Sequence, residues 1–130
     1  PADDVPDSNL NNRSLISLFR AGEQDVLFMG DAEGPAEESL LAHHPSLTCD
    51  VLKVGHHGAA TSSSGEFLRA VHPSVAVISC GVDNDYGHPS DQTLQNLFLA
   101  GVDDVRITAQ SGTIVLPLNP PSSSSKENAA

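Results

Sequence analysis

The chain has 130 residues, 17 of them acidic and 6 basic, for a net charge of −11. That length fits one domain or part of one, enough to bury roughly two-thirds of the surface its unfolded chain exposes. The acidic balance opposes a high-affinity nucleic-acid-binding module, which would carry a basic face, and no apolar run is long enough to span a membrane.

The polar, acidic residues 1–12 read as a lead-in loop. The apolar fraction of 38%, with no Trp, one Tyr and four Phe, suits a small aliphatic α/β core. No signal peptide is visible, and a chain that opens on Pro1 reads as a piece of something larger. Residues 14–19 read as a strand, 20–25 as a turn and 26–29 as a second strand, together a hairpin. The strand ends in Gly30-Asp31-Ala32-Glu33-Gly34. A helix follows, with Pro35 in its first turn, Glu37 and Glu38 at its positive end and an apolar stripe of Ala36, Leu40 and Leu41. It stops near His43-His44, a pair that reads as ordinary polar residues at a helix C-terminus.

A third strand, residues 49–54, runs into Gly55-His56-His57-Gly58. Glycine on either side permits tight backbone and leaves room for a ligand. Imidazole is both the commonest metal ligand and the commonest acid–base group near neutral pH. Ser63-Ser64-Gly65-Glu66 matches a capping box with Ser63 as N-cap, and Phe67, Leu68 and Val71 form the buried face of its helix. Residues 75–79 are an apolar, hence central, strand. A long polar loop over residues 80–89 follows it. A third helix spans residues 90–100, with Leu94, Leu97 and Phe98 as its stripe and Gly101 closing it. Residues 105–108 and 113–116 read as a last hairpin turning at Gln110-Ser111-Gly112. The Pro- and Ser-rich residues 119–130 read as a disordered tail. Cys49 and Cys80 form no zinc-type pattern and read as free thiols.

Three strand ends therefore carry polar residues: Asp31, His56 with His57, and His88. In a sheet with helical crossovers such ends converge where ligands bind. Aspartate and histidine are the donors that Zn²⁺ or Mn²⁺ accepts, and an ion there would polarise a phosphoryl or carbonyl oxygen. The bland alternative, polar turn residues and nothing more, stays open for each.

The segments Asn11-Asn12-Arg13-Ser14-Leu15, Phe28-Met29-Gly30-Asp31-Ala32-Glu33, Leu52-Lys53-Val54-Gly55-His56-His57-Gly58 with Thr61-Ser62, and Asn84-Asp85-Tyr86-Gly87-His88-Pro89 resemble, in order and spacing, the metallo-β-lactamase superfamily. More narrowly, they resemble the carboxy-terminal domain of ComEC-type competence proteins, the DNA-uptake channels of transformable bacteria. The resemblance covers residues 11–116. It implies an αββα sandwich of which residues 13–118 supply the second half, a mixed sheet with about three helices. It implies a divalent metal, Zn or Mn, with Asp31 and His56 as ligands in a site incomplete in this chain. His57 and His88 would then be catalytic neighbours, and Lys53, Ser62, Asn84 and Tyr86 substrate-positioning groups. The expected partners are single-stranded DNA, the upstream half of the same domain and the membrane channel of a parent protein in the plasma membrane, with this domain on its outer face. An uncovered sheet face would also favour self-association.

Two departures from the superfamily pattern stand out. The His-x-His/Asp-x-Asp-His motif occurs nowhere in these residues, so the fragment alone is expected to be inactive. Where hydrolases of the superfamily carry a further histidine before Ser14, this chain has asparagines, most plainly Asn11. A stand-alone hydrolase acting on a phosphodiester or lactone, and a degenerate, non-catalytic domain that binds DNA or regulates the channel, are the alternatives.

Overall fold

The computed structural model describes residues 8–118. Five strands form one mixed sheet in the order β1-β2-β3-β4-β5. β1 (Ser17–Ala21) and β2 (Gln24–Phe28) make an antiparallel hairpin, turning at Gly22, whose φ of +64° suits the residue without a Cβ. β3 (Val51–Lys53), β4 (Val75–Ile78) and β5 (Asp104–Ile107) then add in parallel, each after a helix. The helices are α1 (Gly34–His43), α2 (Gly65–Val71) and α3 (Asp91–Leu99), with a single helical turn α4 (Thr108–Ser111) after β5. The α/β reading holds. β4 is internal, as its apolar run requires, though β3 occupies the middle of the sheet.

Register separates the two faces. Leu18, Leu27, Leu52 and Ala76 lie side by side across four strands. With Ile78 and Ile107 they belong to a core completed by Ala36 of α1, Phe67, Leu68 and Val71 of α2 and Leu97 of α3. The other face carries Phe19, Val26, Phe28, Lys53 and Val77, which line an open apolar groove of about 310 Å³ together with Ile114, Leu116 and Leu118. Cys49 and Cys80 are free. Burial first, then the nearby Asp50 and Asp25 carboxylates, pushes the Cys49 thiol up to about 12, which leaves it an inert core residue.

Four local expectations are corrected. The last hairpin does not form: β5 pairs with β4 alone, and residues 113–118 stay outside the sheet. The Thr108 hydroxyl donates to Cys80 O and accepts from Cys80 N, fixing the chain as it leaves β5 and turns into α4. Ile114, Leu116 and Leu118 keep the period of two because an extended segment lays one side against the groove. In α3 the buried stripe is rotated. Thr93 and Leu97 are fully buried and Phe98 is 79% exposed, because the Thr93 hydroxyl donates to Ala59 O. The lead-in contains a 3-10 turn (Leu10–Arg13) that the Asn9 side chain caps by accepting from Asn11 N; residues 1–7 and the tail from 119 lie outside the described residues.

The fourth correction concerns α2. Its N-cap is Ser64, whose Oγ accepts from Phe67 N at 3.2 Å, and Ser63 precedes it with a left-handed φ of +56°. Replacing an N-cap serine by alanine costs about 1 kcal/mol. Ser64→Ala is therefore expected to lower stability by that amount in urea unfolding and Ser63→Ala to leave the cap intact.

Candidate functional site

Each parallel strand delivers its polar residues to the same edge. Asp31 follows β2 after Gly30, His56 and His57 follow β3, and residues 80–88 follow β4. They meet in a cleft of about 400 Å³ lined by Asp31, His56, His57, Cys80, Gly81, Asn84, Tyr86 and His88. This is the crevice beyond the carboxyl ends of parallel strands where α/β sheets bind ligands.

The turn that carries the two histidines is strained. His56 (φ 45°, ψ 45°) and His57 (φ 56°, ψ 21°) are both left-handed. That conformation costs about 1–2 kcal/mol per non-glycine residue. Close packing holds it. A Cβ at Gly55 would lie 2.7 Å from Ala32 O, and one at Gly58 would lie 2.8 Å from Pro89 Cβ. His56 N donates to Gly30 O at 2.9 Å, tying the turn to the segment before Asp31. The buried Ser62 hydroxyl faces Gly55 O at 2.8 Å and Ala59 O at 3.0 Å, bracing the turn from behind.

The imidazoles have different partners. His57 Nδ1 lies 2.7 Å from Ser79 O. A carbonyl only accepts, so Nδ1 carries the hydrogen, and a neutral His57 turns its Nε2 lone pair toward Asp31 Oδ1, 3.4 Å away. Two acceptors facing each other attract a proton or a cation. His56 Nδ1 lies 2.8 Å from Glu33 Oε1. The nearby carboxylate favours a proton on Nδ1, and Nε2 is then the His56 nitrogen left for a ligand. His88 is held below the ordinary imidazole range by desolvation, then by repulsion from His56 and His57.

Glu33 stands out only in the structure. Its carboxylate accepts from Asn9 Nδ2 at 2.7 Å and Asn11 Nδ2 at 3.1 Å, and its backbone N donates to Asn12 Oδ1 at 3.0 Å. Burial raises the Glu33 pKa, but hydrogen bonds from Asn11 and Thr61 and the His56 ring outweigh it and hold the carboxyl below its ordinary value. Asn11 thus orients Glu33. The sequence signal was present in three asparagines at 9, 11 and 12 and a glutamate two residues after Asp31.

Asp31, His56, His57, His88, Asn84 and Tyr86 are brought together. Lys53 and Ser62 are not. Lys53 lines the apolar groove, its ammonium donating to Val54 O and its pKa lowered by burial against the opposing pull of Asp31. Asn84 spends its side chain on its own loop, donating to Gly81 O and His88 O and accepting from His88 N. Among the described residues no three His, Cys, Asp or Glu side chains are arranged to hold a metal ion. Asp31 and a histidine offer one oxygen and one nitrogen, the right donor types for Zn²⁺ or Mn²⁺ but a partial set.

Fold and cleft define an α/β domain with a histidine–aspartate site at the carboxyl edge of a parallel sheet. No protein-family model matches the chain. Among curated proteins it is 38% identical over 112 residues to ComE operon protein 3 of Bacillus subtilis, covering 85% of this chain and 14% of that protein. It is 39% identical over 105 residues to competence protein ComA of Neisseria gonorrhoeae, covering 80% and 15%. With recombination protein 2 of Haemophilus influenzae the identity is 34% over 102 residues, covering 77% and 13%. The chain is thus similar to a part of three proteins, two of them named for competence and one for recombination, and spans about one-seventh of the length of these relatives. Among its described residues no helix is long and apolar enough to cross a membrane.

Proposed function

We propose that the chain is part of a metal-dependent hydrolase domain, a nuclease or phosphodiesterase acting on DNA during natural competence. The observation that carries the reading is the convergence of Asp31, His56, His57 and His88 in one cleft beyond three parallel strands. Asp31 and His56 would hold Zn²⁺ or Mn²⁺ together with donors from outside this chain. A bound ion would supply positive charge to a phosphoryl oxygen and acidify a coordinated water. His88, its pKa lowered, stands neutral at neutral pH and is free to accept a proton there. The sheet face that Ile114, Leu116 and Leu118 cover only in part, with Phe19 54% and Phe28 45% exposed, suits the upstream half of a metallo-β-lactamase-like sandwich within a membrane-borne parent; in isolation that face favours self-association.

A second ligand assignment has its own support: Asp31 Oδ1 faces His57 Nε2, which makes His57 an alternative partner to His56. The test is cleavage of single-stranded DNA by the complete protein that carries this chain, with Mn²⁺, Mg²⁺ or Zn²⁺. Asp31→Ala is expected to abolish cleavage. His56→Ala and His57→Ala separate the assignments: the ligand's variant loses metal binding as well as activity, and its neighbour's loses activity alone. A folded wild type that cleaves nothing with any of these ions turns the reading to a non-catalytic, DNA-binding or channel-regulating domain.

A further inference from the structure

We propose that Tyr86 is the outer rung of a stacked ring ladder that takes an unpaired nucleobase, so that the site grips a single strand by its base as well as its phosphate. The proposal rests on the DNA reading above and adds a subsite to it. The Tyr86 and His88 rings lie 5.7 Å apart at 25°, and His88 and His57 lie 6.4 Å apart at 12°. Both steps fall within the range of offset stacking. His56 meets His57 and His88 edge-on, at 63° and 71°, and closes the inner side. The ladder therefore runs from the Asp31–His57 edge of the cleft out to solvent, where Tyr86 is 83% exposed.

The backbone on either side of Tyr86 is braced before any ligand arrives. The Asn84 side chain bonds to the loop at Gly81 and twice at His88, bracketing the segment that presents the ring. A ring carried on a braced backbone loses less freedom when another ring lies on it. Beside it, a Cβ on Gly87 would meet nothing within 4 Å, so the space is open.

Charge makes the same point from the other side. No Lys or Arg lines the cleft, Asp83 and Asp85 share the loop, and the whole chain carries −11. Phosphate contacts, the usual source of affinity for nucleic acid, are scarce here. Stacking needs no cation and tolerates any base, because every base has a π-face. A duplex keeps those faces in its own stack, so the ladder selects an unpaired strand. A base on Tyr86 and a phosphate in the cleft would belong to neighbouring nucleotides.

The test uses the 130-residue chain with Mn²⁺, a short oligothymidylate and an abasic strand of the same length. Binding is read by anisotropy of the labelled strand. Tyr86 is the only tyrosine and the chain has no Trp, so quenching of intrinsic emission reports on this ring directly. Oligothymidylate is expected to bind and to quench. Tyr86→Ala weakens binding about 5- to 150-fold, the span for loss of one base–aromatic stack, and Tyr86→Phe restores it. The abasic strand binds wild type as weakly as thymidylate binds the alanine variant. Equal binding of the two strands by wild type, or an alanine variant without effect, overturns the subsite and leaves the DNA reading standing. Failure of both strands to bind the folded chain overturns the subsite, and failure of both to bind the complete protein as well overturns the DNA reading.

Discussion

Glu37→Ala is expected to destabilise the protein by about 3–4 kcal/mol, from stranding two backbone amides at about 1–3 kcal/mol each. Glu37 sits in α1, 1% exposed, and its carboxylate accepts the backbone N–H groups of Ser63 and, at 3.0 Å, Ser64. It thus secures the entry to α2 from a helix 26 residues earlier. Removal leaves two amides without an acceptor and a void between helices, each a known source of large losses. Glu37→Gln keeps the volume and one acceptor and is expected to cost about 1–2 kcal/mol, by the ordinary worth of the bond it loses. Urea unfolding reads both as a shift of midpoint at constant slope. The pH dependence has a definite sign. Burial, stronger than the opposing amides of Ser64 and Ser63, holds the Glu37 pKa above its ordinary value. A carboxyl with a raised folded pKa contributes stability that is fully present below the unfolded pKa and is lost as pH rises through the folded one. The gap between wild type and Glu37→Gln is therefore widest in acid and narrows as pH rises. A gap that widens with pH would mean the amides, not burial, dominate.

The same residue shows where sequence reading stops. The β2, β3 and β4 runs, the proline in the first turn of α1 and the strand-end glycines are local signals, and each places its element and carries its polar residues to one sheet edge. The choice between Ser63 and Ser64 as cap is not local. It is settled by Glu37, which ties down the amides of both residues and leaves Ser64 at the helix mouth. The final hairpin failed for a different reason. A period of two marks an extended segment with one apolar side, and it cannot distinguish pairing within the sheet from lying across its face, as Ile114, Leu116 and Leu118 do. The resemblance implies that Lys53 and Ser62 belong with the cleft, and the structure separates them from it. Alternation along β3 sends Lys53 to the groove face, and the turn folds Ser62 beneath the histidines.

Glu33→Ala is expected to disconnect His56 from its scaffold. In the wild type one carboxylate oxygen accepts from Asn11 and lies beside His56 Nδ1, while the other accepts from Asn9. The group is 8% exposed and, with its pKa held down, ionised. An ionised carboxylate oxygen 2.8 Å from Nδ1 favours the hydrogen there by its charge and leaves Nε2 as the coordinating nitrogen, the bias by which carboxylates orient histidine ligands. Without it the ring is free to take either tautomer, and two asparagine amides lose their acceptor. Loss of such a partner weakens metal affinity about 10- to 100-fold. The complete protein carrying Glu33→Ala is expected to show that loss in a Zn²⁺ or Mn²⁺ titration, with Glu33→Gln in between because one amide oxygen cannot serve every donor. Nitrogen NMR of the His56 ring in the metal-free chain gives an independent readout: one tautomer in wild type, a mixture in the alanine variant. If His56→Ala abolishes metal binding while Glu33→Ala leaves both affinity and tautomer unchanged, the asparagine–glutamate clamp serves the fold alone. If both respond together, the lead-in asparagines and Glu33 act on the cleft through a single imidazole.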